Sequence, residues 1–276
     1  MKNNQELYVG FPLYLNTLPL LHYLKVPSGI KIFLKTPKEI NQALEKGELD
    51  IGLASSLFYA QHFRKLLLLP DLSISAIGKV KSVILYHHLP IISLEGKKIG
   101  ITPETETSFG LLRLVLEDFF KVNPIYKVLS HPLSKDEKNL IDLSGYLAIG
   151  DEALALQRKN FFPFTTDLAE IWLEKTKLPF IFALMVLRRD SFPKKEPLIK
   201  KLLVSLYISR AKGLSSLGKI VEAYTLEIER DFSLNYLQHL EYDFSGLKQR
   251  AFLYFCELLY KKGYLKEIPK LEFIEI

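Results

Sequence analysis

The chain is expected to fold as two α/β lobes joined by two crossings of the polypeptide. Three observations point there. Four times in the first 151 residues an apolar, strand-like run ends in a short cluster of small polar residues. Amphipathic helical segments separate the runs, which is the alternation of a parallel sheet. A second long apolar run, Phe180–Leu187, comes after that alternation and is followed by helical sequence alone, as a return crossing would be.

Taken in order, Leu7–Gly10 and Ile30–Leu34 are rich in branched and aromatic residues and bounded by Gly and Pro, the composition of strands. Thr36-Pro37-Lys38-Glu39 is a capping box with proline at the first helical position. Ile40, Ala43 and Leu44 continue that helix at helical spacing until Gly47 stops it. Strand Ile51–Ala54 follows, then a helix with Leu57, Phe58 and Phe63 inward. Ser73–Ile77 and Val80–Tyr86 flank Gly78-Lys79 and together look like a strand leaving the first sheet.

A fresh unit then starts: strand Lys98–Ile101, and a helix Ser108–Val122 whose apolar stripe is Leu111, Leu112, Val115, Leu116 and Phe119. Tyr126–Leu129 and Tyr146–Ile149 are further strands, and Thr165-Thr166 is expected to cap a helix Asp167–Thr176. From Pro193 to Leu265 two or three amphipathic helices are expected, including Leu247–Lys261 closed by Gly263, packed on the first sheet. The crossings near 80–86 and 180–187 place residues 1–85 with 185–276 in one lobe and 86–184 in an inserted second lobe. That is the architecture of type 2 periplasmic binding proteins, with a ligand cleft between the lobes.

Composition narrows the function. Of 276 residues, 48% are hydrophobic and 25% charged, a globular profile, and no apolar run approaches the roughly 20 residues of a membrane helix. The formal net charge of +6 is spread over scattered lysines, without an arginine-rich arm or an aromatic-plus-basic signature for nucleic acid. The opening Met-Lys-Asn-Asn-Gln-Glu lacks the pattern of a secretory signal. The single Cys256 excludes an intramolecular disulfide, so a cytoplasmic protein is expected. No phosphate loop, dinucleotide fingerprint, HExxH or Cys-x-x-Cys pattern is present, and no metal or nucleotide is expected. His87 and His88, adjacent in a strand, point to opposite faces and cannot chelate together. Cys256, among Leu253, Phe255, Leu258 and Leu259, is read as core, as are Trp172 and Phe180 by default.

In a parallel sheet the strand ends line one edge, where ligands bind. The clusters there are Tyr14-Leu15-Asn16-Thr17, Ser55-Ser56, Thr105–Ser108 and Gly150-Asp151. They supply hydroxyls, amides and helix N-termini but only one carboxylate in an obvious site position, which suits a small anion better than strong acid–base chemistry. Each also has a plain structural use: Ser55-Ser56 and Thr107-Ser108 as N-caps, Asn16 in a turn ahead of Pro19, Ser82 as an ordinary strand residue, and Asp151 as a cap.

Several stretches follow a specific order along nearly the whole chain: Tyr14-Leu15-Asn16-Thr17-Leu18-Pro19, Gly47-Glu48-Leu49-Asp50-Ile51-Gly52 with Ser55-Ser56, and Leu67–Ser75. Lys81-Ser82-Val83, Thr107-Ser108, Gly150-Asp151, Asp167–Trp172 and Leu178–Ala183 complete the set. In these the chain resembles the chorismate dehydratases of the futalosine route to menaquinone. It departs at Ala76, where a second serine is expected, and at Gly10–Leu13, which lacks the basic residue and serine common there.

The resemblance implies a two-lobed binding-protein fold acting as an enzyme on chorismate, a small dianion, with no cofactor, no metal, no nucleic acid and no membrane insertion. It implies that Asn16 and Ser82 act on the reacting hydroxyl and ether side, Asn16 orienting and Ser82 donating to the departing oxygen. Tyr14, Ser55, Ser56, Thr107, Ser108, Gly150 and Asp151 are the expected substrate contacts. Neither Asn16 nor Ser82 is a competent base near neutral pH, so the substrate's own enolpyruvyl carboxylate is the expected proton acceptor. Two other readings stay open: a non-catalytic solute-binding protein, and the sister 1,4-dihydroxy-6-naphthoate synthase of the same pathway.

Overall fold

A computed structural model describes residues 6–133, 142–159, 161–224 and 229–275. It contains two sheets. The first has the order β11-β4-β10-β3-β1-β2 and the second β7-β6-β8-β5-β9.

In the first lobe β1 (Leu7–Pro12), β2 (Ile30–Lys35) and β3 (Ile51–Ser55) are parallel, with β1 between the other two. The short α1 (Leu18–Leu21) follows a single 3-10 turn at Leu15–Thr17. Helix α2 (Pro37–Glu45) opens on the expected capping box: Thr36 Oγ1 accepts from the Glu39 N–H, and Glu39 accepts from the Thr36 N–H. After β3 the chain turns into α3 (Ser56–His62) and then β4 (Leu66–Ala76).

The sequence reading starts a strand only at Ser73, but β4 runs unbroken across Pro70-Asp71. Asp71 there adopts φ 54, and the Arg210 guanidinium braces it through its carboxylate at 2.8 Å and its carbonyl. A tertiary contact 139 residues away thus overrides a local break signal. The motif serines Ser73 and Ser75 are also structural, their hydroxyls donating to the carbonyls of Asp243 and Glu241.

The second lobe comprises β5 (Val83–His87), β6 (Lys98–Ile101), α4 (Thr107–Arg113), β7 (Ile125–Val128), β8 (Gly145–Ile149), α5 (Gly150–Lys159), β9 (Phe164–Asp167) and α6 (Leu168–Thr176). The helix expected over 108–122 is α4 followed by a π-helical turn at Leu114–Phe119. Strand alternation splits the core here. Val83, Leu85 and Leu147 face the main core, while Ile84, Tyr86, Tyr146 and Ala148 form a smaller cluster on the other face with Leu129, Leu143 and Phe162.

Strand β10 (Phe180–Arg188) lies between β3 and β4 in the first sheet, antiparallel to both. Phe180 pairs with Ala76, so the chain leaves and re-enters the first lobe side by side. The expected limits at 85/86 and 184/185 fall inside β5 and β10, which pair wholly within the second and first sheets. We propose instead that the lobes divide at residues 77–82 and 177–179.

Among the described residues the C-terminal part holds four helices rather than two or three: α7 (Phe192–Leu214), α8 (Leu217–Ala223), α9 (Arg230–Gln238) and α10 (Gly246–Lys261). It also adds a strand the sequence did not suggest, β11 (Leu240–Glu241), on the edge of β4. Helix α7 approaches α1 so closely that a Cβ on Gly213 would lie 2.2 Å from the Pro19 carbonyl oxygen, which requires glycine there. Its first turns supply Lys195, which with Asp50 forms a buried pair at 2.8 Å; Asp50 also accepts from the Tyr8 N–H and the Ser191 hydroxyl. Cys256, Trp172 and Phe180 are all buried core residues, as expected. Trp172 joins the lobes, packing against Phe119 of its own lobe and Phe180 and Phe255 of the other. Among the described residues no helix is long and apolar enough to cross a membrane.

Candidate functional site

The strand ends of both sheets converge on one cleft between the lobes, holding about 640 Å³ free of protein atoms with its open mouth included. Seven of the nine expected residues line it: Tyr14, Asn16, Ser55, Ser82, Thr107, Ser108 and Gly150. Ser56 and Asp151 do not. Ser56 is fully buried, its hydroxyl donating to the Ile181 carbonyl at 2.7 Å and lying 3.3 Å from Thr107 Oγ1. Asp151 accepts from the Leu15 N–H at 3.2 Å.

The first turns of α3 and α4 have different partners. Ser55 caps α3 from within its own strand, accepting from the Phe58 N–H, and also accepts from the Asn41 amide. The neighbouring N–H of that first turn, on Leu57, is satisfied from the other lobe by Thr107 Oγ1 at 2.9 Å. Helix α4 is in turn capped by Thr105, whose hydroxyl accepts from the Ser108 N–H at 3.1 Å. Of the expected caps only Ser55 caps its own helix: Thr107 and Ser108 are the first residues of α4, and Thr107 instead serves the first turn of α3 from across the cleft.

Three sets of bonds cross the cleft: Tyr14 OH to Glu104 at 2.5 Å, the Leu15 N–H to Asp151, and Ser56 with Leu57 to Thr107. Gly150, with φ 56, lies under the Tyr14 ring; a Cβ there would stand 3.2 Å from ring carbons. Burial and the Glu104 hydrogen bond push the Tyr14 phenol far above its usual range, so it stays a donor. Burial raises the Asp151 carboxyl to about 6, only partly opposed by its one backbone donor.

Asn16 and Ser82 both line the cleft, from the first lobe and from the crossing loop. Ser82 is 3% exposed and sits at the end of the crossing loop, with its carbonyl accepting from the Gly150 N–H at 2.8 Å. That loop is fixed by Asp167, one oxygen of which accepts from the N–H groups of Val80 and Lys81 at 2.9 and 2.7 Å. Its other oxygen caps α6 through Ala169 and Glu170. This corrects the expected cap: Thr165-Thr166 belong to β9, and the aspartate that follows does the capping. Asn16 is held by its carbonyl, which accepts from the Tyr242 hydroxyl at 2.8 Å.

Sequence reasoning missed Glu104 and Phe182, both cleft-lining, and counted Thr105 in a polar cluster without assigning it a contact. Glu104 directly precedes the recognised cluster Thr105–Ser108 and could have been found by extending it. His87 is buried and His88 exposed, as alternation requires; His87 bonds Thr166 Oγ1 and the Leu89 carbonyl. Among the described residues, no group of three or more His, Cys, Asp or Glu side chains is placed to hold a metal ion.

Comparison with known proteins bears on this cleft. A family model described as menaquinone biosynthesis matches residues 7–261. A chorismate dehydratase of Thermus thermophilus is 32% identical over 268 aligned residues, covering 88% of this chain and 93% of the relative. Among solved structures, a protein of Archaeoglobus fulgidus superposes with a TM-score of 0.73 at 17% identity, over 96% of this chain and all of that one. The periplasmic aliphatic sulphonate-binding protein of Escherichia coli gives 0.66 at 13% identity, over 96% and 95%. At such identities the structures speak for the fold, which is that of periplasmic binding proteins.

Proposed function

The chain belongs to the menaquinone-biosynthesis family, and from that premise we propose that it is a chorismate dehydratase, a hydro-lyase converting chorismate into 3-[(1-carboxyvinyl)oxy]benzoate and water. The observation that carries the reading is the gathering of Tyr14, Asn16, Ser55, Ser82, Thr107, Ser108 and Gly150 in one interlobe cleft, inside a chain 32% identical to a chorismate dehydratase.

In the reaction a C–H bond breaks at the ether-bearing ring carbon and a C–O bond breaks at the neighbouring hydroxyl. The proton and the departing hydroxide make up the water released, and aromatisation drives the step. The hydrogen lost is activated through the ring double bonds by the ring carboxylate. The protein has to fix the conformer and stabilise developing charge rather than supply a strong base. Ser82 is assigned to donate to the departing oxygen and Asn16 to orient the substrate through its amide. The enolpyruvyl carboxylate takes the proton and passes it to the departing hydroxide, which leaves as water.

Lys and Arg are absent from the described cleft-lining residues, so the dianion's carboxylates are assigned to hydroxyls and backbone N–H groups at the N-termini of α3, α4 and α5. Glu104 is the one carboxylate among those lining residues, and the Tyr14 hydroxyl bonded to it reduces its repulsion of an anion. A cytoplasmic location belongs to the same proposal, supported by the single buried cysteine.

The test is incubation of purified protein with chorismate in chelator-treated buffer, followed by liquid chromatography with mass detection. Loss of one water to give the aromatic enolpyruvyl ether is the expected result. Folded protein that leaves chorismate unchanged would reject the reading in favour of a binding protein or the sister synthase.

A further inference from the structure

Ser82 has a partner that no local sequence pattern announces. Tyr236, on α9 of the C-terminal part of the first lobe, is fully buried and donates its hydroxyl proton to Ser82 Oγ at 3.0 Å. The two residues are 154 positions apart. We propose that Tyr236 is a positioning residue for the dehydration, fixing the Ser82 hydroxyl so that its own proton points into the cleft. The inference rests on the chorismate reading and extends it to a residue outside the cleft lining.

A serine hydroxyl has one proton, two lone pairs and free rotation about the C–O bond. A donor fixed on one lone pair removes that freedom and leaves the serine proton for another acceptor. Ser82 lines the cleft, so that acceptor is a bound molecule. A hydroxyl that accepts one bond also donates a stronger one. Burial drives the Tyr236 phenol well above its ordinary range, so it remains protonated, and hence a donor, at any working pH.

The surroundings hold both partners in place. Lys81, immediately before Ser82, has φ 63, in the left-handed region a lysine seldom occupies. Its ammonium bonds Asn235, the residue before Tyr236, and its N–H bonds Asp167. The crossing loop is thereby pinned from the second lobe by Asp167 and from the first by α9. Tyr242, just beyond α9, holds the Asn16 carbonyl at 2.8 Å. One C-terminal segment thus reaches behind both residues assigned to the reaction. A tyrosine present only for packing would need no hydroxyl, and Tyr236→Phe removes that hydroxyl alone, with its bond to Ser82 and its weaker interaction with the Asn16 side chain.

The experiment is a double-mutant cycle on chorismate turnover with wild type, Tyr236→Phe, Ser82→Ala and the double variant. For Tyr236→Phe, kcat should fall between about tenfold and a hundredfold, with KM within about threefold. In the Ser82→Ala background the same change should alter kcat by less than about twofold, because the group it positions is gone. Wild-type kcat in Tyr236→Phe, or losses that multiply in the double variant, would overturn the inference while leaving the dehydratase reading intact. No turnover by folded wild type would instead remove that reading, and the role of Tyr236 with it. Should Tyr236→Phe not fold, 3-fluorotyrosine at position 236 keeps the ring and is a stronger donor. It should hold kcat at or above wild type, and a clear drop would count against the positioning role.

Discussion

Asp151 and Asp167 are two aspartates of the second lobe, each at a strand-to-helix turn and each accepting a hydrogen bond from backbone outside its own lobe or in the crossing loop. Their surroundings differ sharply. Asp167 accepts four backbone N–H bonds, two from Val80 and Lys81 and two from the start of α6. Asp151 accepts one, from Leu15 across the cleft, and burial raises its carboxyl to about 6. Burial raises both carboxyls, but four backbone donors oppose it and make Asp167 a rivet, where a single donor opposes it at Asp151. What separates them is the number of donors the rest of the chain delivers, which no local motif records.

The comparison breaks first at Asp167. Asp167→Ala would leave four N–H groups without their acceptor, two of them in the loop that carries Ser82. A stability loss of about 4 kcal/mol is expected, with chorismate turnover lost as Ser82 moves. Urea denaturation of both proteins measures it, and a loss below about 1 kcal/mol would remove Asp167 from its structural role.

For Asp151 the expected sign is the opposite. A carboxyl whose folded pKa is raised binds more protons folded than unfolded between its ordinary value of 3.8 and about 6. Stability from this group is therefore present at low pH, declines as pH rises through that window, and is level above it. Asp151→Asn keeps an oxygen for the Leu15 N–H and cannot ionise. It should be about 2 kcal/mol more stable than wild type at pH 8 and equal to it near pH 4. Denaturation midpoints at the two pH values decide; a variant destabilised equally at both would contradict the assignment.

Thr107 sharpens the contrast by crossing the same cleft without a charge. Thr107→Val keeps the shape but strips the acceptor from the Leu57 N–H and the neighbour from the Ser56 hydroxyl. The cost should be about 1 kcal/mol and the same at pH 5 and pH 8. A pH-dependent cost would mean that Thr107 reports on a charged neighbour.

How much of this the sequence disclosed follows the range of the forces involved. The parallel unit of the first lobe was legible because periodicity, the capping box and the stop at Gly47 are local. The family resemblance placed Tyr14, Asn16, Ser82, Thr107 and Gly150 in the cleft ahead of the structure. The continuity of β4 was hidden, since it depends on Arg210 bracing Asp71 from α7. Ser73 and Ser75 look as chemical as Ser82 in sequence, yet they tie down the strap at 241–243, and only pairing partners distinguish the three. Tyr236 reads as one more apolar-face residue of a helix until its hydroxyl is seen on Ser82.

The most direct test of the cleft's role is single-turnover conversion of chorismate by Ser82→Ala, set against wild type with melting temperatures measured alongside. Ser82→Ala removes the acceptor of the buried Tyr236 hydroxyl, so a modest fall in melting temperature is expected in a protein that still folds, with a rate at least about a hundredfold lower. Conversion at the wild-type rate by the folded variant would contradict the assignment of Ser82 and its cleft to the reaction.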